Sequence, residues 1–132
     1  MVSTPQRRIL RAPRLPCHRQ GGRLVGAFAT GRVVNPRIVD SQLYGGMIWG
    51  VSFALHEKAV GDRRSGRVMN PNLGDYHVPV NADVPSLEYL QVLEDDIHVN
   101  ALGIKGVGEI GIIGSAGAVA TRYGTQQVSV RR

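Results

Sequence analysis

Asn35-Pro36 fixes where the longest regular element of this chain begins. Asparagine is a favoured N-cap because its side-chain oxygen accepts a hydrogen bond from an otherwise unpaired amide of the first turn. Proline suits the first helical position, where its missing N–H costs nothing. The residues that follow predict a helix from Pro36 to about Lys58. Ile38, Gln42, Gly45, Trp49 and Phe53 recur at three- to four-residue steps and so share one face. Adjacent glycines, Gly45 and Gly46, sit in mid-helix, where each costs about 1 kcal/mol relative to alanine. That cost is tolerated where another backbone or a ligand passes close to the helix. Gln42, one turn earlier, both donates and accepts hydrogen bonds. It reads either as a ligand contact or as the cap of a loop at a helix–helix crossing.

Around this helix the chain alternates short elements. Leu24 to Ala29 reads as a strand, Thr30-Gly31 as a turn, and Val33-Val34 as its continuation or the lead into the helix. Asp62 to Gly66 is a polar turn, Asn70-Pro71-Asn72 an irregular piece, Tyr76 to Val80 extended, and Asn81 to Pro85 a further turn. Leu87 to Leu93 alternates as a strand does, and Glu94-Asp95-Asp96 closes it as a solvated acidic rim. Ile110 to Ala120 is apolar and rich in small residues, which predicts a buried, closely packed helix. It is far short of the ~20 residues that span a membrane. Mixed α/β architecture follows, with short strands, a long helix carrying the glycine pair and a second, Gly/Ala-rich helix.

Charge divides the chain into three parts. All ten acids lie between Asp40 and Glu109, where only Lys58, Arg63, Arg64, Arg67 and Lys105 are basic, so that span carries −5. The other eleven of the sixteen bases lie outside it, and the net +6 belongs to the ends. Residues 1–23 form a basic arm, 24–120 the folded unit and 121–132 a basic tail. A nucleic-acid face is normally a patch on the folded part, so nucleic-acid binding is disfavoured. The arm, rich in Arg and Pro, reads as disordered. Pro5, Pro13 and Pro16 spoil a transit-peptide helix, and no apolar segment follows Arg7-Arg8-Ile9-Leu10 as an export signal requires. The single cysteine, Cys17, rules out an internal disulfide and an all-cysteine metal or iron–sulfur site within the chain.

Lys105-Gly106-Val107-Gly108-Glu109-Ile110-Gly111 sets one carboxylate among three glycines, with an ammonium four residues upstream. Such a loop presents either a general base or an ordinary solvated side chain. Its formal match to the dinucleotide pattern G-x-G-x-x-G fails, since no strong strand precedes it and no acid follows Glu109 for the ribose. A carboxylate inside the loop also opposes a pyrophosphate, and no Gly-Lys-Ser/Thr is present for a phosphate loop. His56, His77 and His98, with Asp95 and Asp96, lack the spacing of metal motifs and read as surface or hydrogen-bonded histidines.

Taken together, the motifs resemble the C-terminal part of the large, molybdenum-binding subunit of xanthine dehydrogenase and aldehyde oxidase family enzymes. They are Gly31-Arg32-Val33-Val34-Asn35-Pro36, Ser41-Gln42-Leu43-Tyr44-Gly45-Gly46 and Asn70-Pro71-Asn72-Leu73-Gly74-Asp75-Tyr76. Val78-Pro79-Val80-Asn81-Ala82-Asp83-Val84-Pro85 and Lys105-Gly106-Val107-Gly108-Glu109 complete the order. The resemblance runs from about Leu24 to Ala120. It implies a fragment of the C-terminal molybdenum-cofactor-binding domain, with Glu109 as catalytic general base and Gln42 as a hydrogen-bonding contact to the pterin. Gly108 would supply backbone beside the base, and Lys105 a nearby charge that keeps Glu109 ionised. The implied cofactor is molybdenum–molybdopterin, with the cytosine dinucleotide form as one candidate and no protein ligand to the metal.

The implied reaction oxidises an aldehyde or N-heterocycle with water as oxygen donor. Its electrons pass to iron–sulfur centres and FAD on partner subunits, in the cytoplasm or exported with a partner, and without a membrane. The implied partners include the remainder of the large subunit, because that subunit is several times longer than this chain. Neither residues 1–23 nor 121–132 resemble the family. Basic, acid-free ends at both points suggest a reading-frame change around a truncated gene. The alternative function is a non-catalytic remnant or assembly piece.

Overall fold

The computed structural model describes residues 22–92, 94 and 96–130. Strand β1 (Arg23–Phe28) leads into helix α1 (Pro36–Leu55). A long irregular stretch with a 3-10 turn at Asn81–Asp83 then reaches strand β2 (Ser86–Gln91). Helices α2 (Ile110–Ile113) and α3 (Ser115–Val130) finish the chain.

The two strands pair in parallel, in register from Arg23 opposite Ser86 to Phe28 opposite Gln91. Parallel strands need a crossover between them, and α1 is that crossover. Along β1 the residues alternate, with Leu24, Gly26 and Phe28 half-buried and Arg23, Val25 and Ala27 exposed. Leu87 and Tyr89 of β2 share the inner face with their register partners Leu24 and Gly26. Both expected strands are thus found, within two residues of their predicted ends.

Helix α1 starts where Asn35-Pro36 requires: Asn35 Oδ1 accepts from the Ile38 amide at 3.3 Å, and Pro36 is the first helical residue. The buried stripe of α1 is Val39, Leu43, Met47 and Val51, with Leu43 and Met47 fully enclosed. Ile38, Gln42, Gly45, Trp49 and Phe53, the face picked out by spacing, is instead the exposed one; Trp49 and Phe53 are 62% and 67% accessible. The reason is that α1 is apolar nearly all round. Periodicity finds a face on such a helix but does not say which face the chain itself covers.

Tyr76 to Val80 runs without strand pairing, and one further expectation changes. The Gly/Ala-rich helix is broken at Gly114 into α2 and α3, and α3 continues past Ala120 to Val130. The polar turn at Asp62 to Gly66 closes a small antiparallel bridge between Gly61 and Val68. Asp62 caps it, accepting from the Arg64 amide at 3.0 Å and the Ser65 hydroxyl at 2.6 Å. These bonds hold the Asp62 carboxyl below its ordinary range, the Ser65 bond first among them. The basic arm before residue 22 lies outside the described residues.

Candidate functional site

Helix α1 and helix α2 cross with almost nothing between them. A Cβ added to Gly46 would lie 2.9 Å from the carbonyl carbon and Cα of Gly111 and from the Ile112 nitrogen. A Cβ on Gly111 would lie 2.8 Å from the Leu43 carbonyl oxygen. Real side chains do not pack that closely against backbone, so glycine at both positions is what lets the helices touch. Gly50, one turn on, does the same against Ser115 at the start of α3. The glycine pair in α1 therefore has two different explanations. Gly46 serves a backbone crossing, whereas an added Cβ at Gly45 meets nothing within 4 Å.

This crossing brings distant parts of the sequence to one edge. Gln42 adjoins Leu43 on α1, and Glu109 lies two residues before Gly111. Both are exposed. Glu109 occupies the position before the first residue of α2, but its side chain does not cap that helix. Its carboxylate is left to the outside. Gly106 and Gly108, on the approach to Glu109, likewise leave open space around a notional Cβ. Gly46 and Gly111 close the crossing, while a Cβ at Gly45, Gly106 or Gly108 would meet only open space.

Lys105 lies in the same loop but is spent elsewhere. Its Nζ pairs with Glu94 at 2.7 Å and Asp96 at 3.3 Å, and these carboxylates raise its pKa, Glu94 most. The acidic rim after β2 is therefore the anchor of the glycine loop rather than merely solvated. Lys105 thus stands four residues from Glu109 with its ammonium paired to this rim. Asp96 is lowered below the ordinary carboxylate range by the His98 amide and then by Lys105. Asn100 folds the intervening turn: its side chain donates to the Ile104 carbonyl at 2.6 Å and accepts from the Leu102 and Ile104 amides. Gly31, at φ 61°, receives this turn, with the Arg32 amide donating to the Gly103 carbonyl at 2.8 Å.

Behind the edge, the Tyr89 hydroxyl of β2 donates to Asp40 of α1, and the Tyr44 and Tyr89 rings meet edge-on at 5.2 Å. The bond to Asp40 pushes the Tyr89 pKa up from 10.0 to about 12. A group with a raised folded-state pKa stabilises the fold fully below its unfolded value and loses that contribution as pH climbs through the folded one. Stability is thus expected to hold up to about pH 10 and fall between pH 10 and about 12. In Tyr89→Phe this fall should be shallower, as checked by urea unfolding across that range. An identical alkaline slope in both proteins would refute the linkage.

Sequence spacing missed one grouping. The ligand atoms of His56, His77 and Asp83 all lie within 4.8 Å of one another. His98, by contrast, sits beside Asp96 in the glycine-loop turn.

Residues 20–85 match the family described as molybdopterin cofactor-binding domain. The aldehyde oxidoreductase molybdenum-binding subunit PaoC of Escherichia coli K12 is 36% identical over 110 residues, covering 83% of this chain and 15% of that protein. The putative xanthine dehydrogenase molybdenum-binding subunit XdhA of the same organism is 37% identical over 99 residues, 74% of this chain and 13% of its own. Among solved structures, quinoline 2-oxidoreductase from Pseudomonas putida 86 superposes with a TM-score of 0.64 at 30% identity. It covers 70% of this chain and 12% of its own. A Cu,Mo-CO dehydrogenase gives 0.63 at 26% identity, over 68% and 11%. The chain thus spans about a seventh of PaoC. The chain belongs to the molybdopterin cofactor-binding family, that of the molybdenum-binding subunits of xanthine dehydrogenases and aldehyde oxidoreductases.

Proposed function

We propose that this chain forms one wall of the molybdenum-cofactor site in a hydroxylase large subunit that oxidises an aldehyde or an N-heterocycle with water as oxygen donor. The observation that supports this reading is the α1–α2 crossing, which packs the segment of Gln42 against that of Glu109 while both side chains stay exposed and Gly45 and Gly108 have open space beside them. The Gln42 amide hydrogen-bonds the pterin, in its plain or cytosine dinucleotide form, and Gly45 gives that group clearance along the helix. Gly108 keeps the backbone thin beside the base. Glu109 takes a proton from the water that supplies the oxygen atom. Overall a C–H bond and water become a C–OH group, releasing two protons and two electrons. The bound molybdenum cofactor supplies the two-electron redox chemistry, and iron–sulfur and FAD groups on partner subunits carry the electrons onward. Lys105 acts on the loop's position through Glu94 and Asp96.

A second reading has its own support. The apolar core among the described residues is Val39, Leu43, Met47 and Val51, while Ile38, Trp49, Phe53 and Ile113 are exposed. A chain with so small a core and so much uncovered apolar surface is an assembly piece until the rest of the subunit covers it. Alone, it is expected not to turn over substrate.

One chimera tests the first reading against the second. Residues 22–130 would replace the matched segment of PaoC, and molybdenum content and aldehyde turnover would be measured. Cofactor loading with turnover is the expected result. Loading without turnover would leave the chain as a scaffold and sink the catalytic reading; no loading would sink both roles at this edge.

A further inference from the structure

We propose that His56, His77 and Asp83 form a zinc site, separate from the glycine-loop edge, that ties the end of α1 to the segment leading into β2. Their nitrogen and carboxylate ligand atoms lie within 4.8 Å of one another. The two imidazole rings are tilted by 32° with centroids 5.3 Å apart. Tetrahedral coordination with Zn–N of about 2.0–2.1 Å needs donor atoms roughly 3.3 Å apart. Closing the remaining gap asks at most about 1.5 Å of side-chain movement, which the exposed His77 can supply.

The backbone around these residues is already held in place. His56 caps α1, its amide donating to the Ser52 carbonyl at 2.9 Å. Its neighbour Glu57 accepts from the Ser52 hydroxyl and, at 2.8 Å, from the Tyr76 hydroxyl. Because Tyr76 precedes His77, the Glu57–Tyr76 bond is what delivers His77 to His56. Asp83 is set by the 3-10 turn, its Oδ2 accepting from the Val80 amide at 3.0 Å. Preplaced ligands of this kind lower the ordering cost of binding.

Two imidazoles and one carboxylate are borderline donors that suit a zinc-class divalent ion and disfavour magnesium or calcium, which take oxygen ligands. Three protein ligands also leave a fourth position for water on the exposed His77 side, the arrangement of an open rather than a closed zinc site. The ion would join three segments that are separate in sequence: the C-terminus of α1, the stretch at Tyr76-His77, and the turn before β2.

The test uses the purified full chain, stripped with chelator and titrated with zinc chloride by calorimetry, with helix content followed by circular dichroism. One zinc per chain is expected, undisturbed by excess magnesium, together with a rise in melting temperature. His77→Ala, in an exposed irregular segment, and Asp83→Asn should each weaken binding by about 100-fold, the upper end of what loss of a supporting group costs at metal sites. His98→Ala and the double variant Cys17→Ser/His18→Ala should bind as the native chain does. No zinc uptake, whether or not the chain is helical, would overturn the site. So would native affinity in His77→Ala, or binding lost only in the Cys17/His18 variant. Zinc that induces helix in an otherwise poorly folded native chain, but not in His77→Ala, would support it.

Discussion

Glu109→Gln in the chimeric large subunit is expected to lower turnover by about 10²–10⁴-fold, the range that a positioned general base contributes. Glutamine keeps the shape and one hydrogen-bonding oxygen but holds no negative charge and takes no proton. Because the Glu109 side chain does not cap α2, the substitution removes no fold contact there. Molybdenum loading and melting temperature should therefore match the native chimera. The loss should fall on kcat, with KM nearly unchanged, since the base acts in the transition state more than in binding. Equal kcat in both proteins would remove Glu109 from the reaction. A loss of molybdenum content alongside would instead mean that the residue holds the cofactor.

The two adjacent glycines of α1 make an opposed pair of experiments. Gly46→Val puts at least one carbon 2.9 Å from three backbone atoms of Gly111 and Ile112. Backbone in a packed crossing does not rotate away, so α2 must lift off α1 and uncover Leu43 and Met47. Overpacking of this kind costs about 1–3 kcal/mol for a modest intrusion, and the lost burial adds to it. In a fold with so few enclosed side chains, that is enough to unfold the chain. Gly45→Ala should do the reverse, raising stability by about 1 kcal/mol through helix propensity, because nothing stands within 4 Å of the new methyl. Its cost should appear only in the chimera, as reduced cofactor loading. If both substitutions change stability in the same direction, the crossing is not where these glycines act.

Much of this was legible because it is local. Asn35-Pro36 announces the start of α1 by chemistry confined to one turn, while the short apolar run from Leu24 and the alternation from Leu87 mark the two strands. What escaped the sequence depends on contacts between remote segments. The apolar residues of α1 surround it, so spacing alone selected the face with Trp49 instead of the one with Met47. Lys105 has Glu109 four residues away, yet the loop stapled by Asn100 presents it to Glu94 and Asp96. His56 and His77 meet only because Tyr76 bonds to Glu57, a pairing no spacing rule encodes. Motif resemblance named Gln42 and Glu109 without indicating that Gly46 and Gly111 let their two segments pack together.

The parallel pairing of β1 with β2 has a kinetic consequence. It closes everything from Arg23 to Ser86 into a single loop, with α1 inside it. A helix forms within microseconds from local bonds, whereas a long loop must lose its entropy before a remote strand pair returns anything. The crossing of α1 with α2 and α3 closes a span just as long, from Gly46 to Gly111, so α1 forms first and both long-range closures follow it. During that interval Trp49 and Phe53 stand on a formed helix with neither sheet nor neighbouring domain beside them. The most dangerous moment for this polypeptide is therefore early, when a finished helix waits for an unfinished protein.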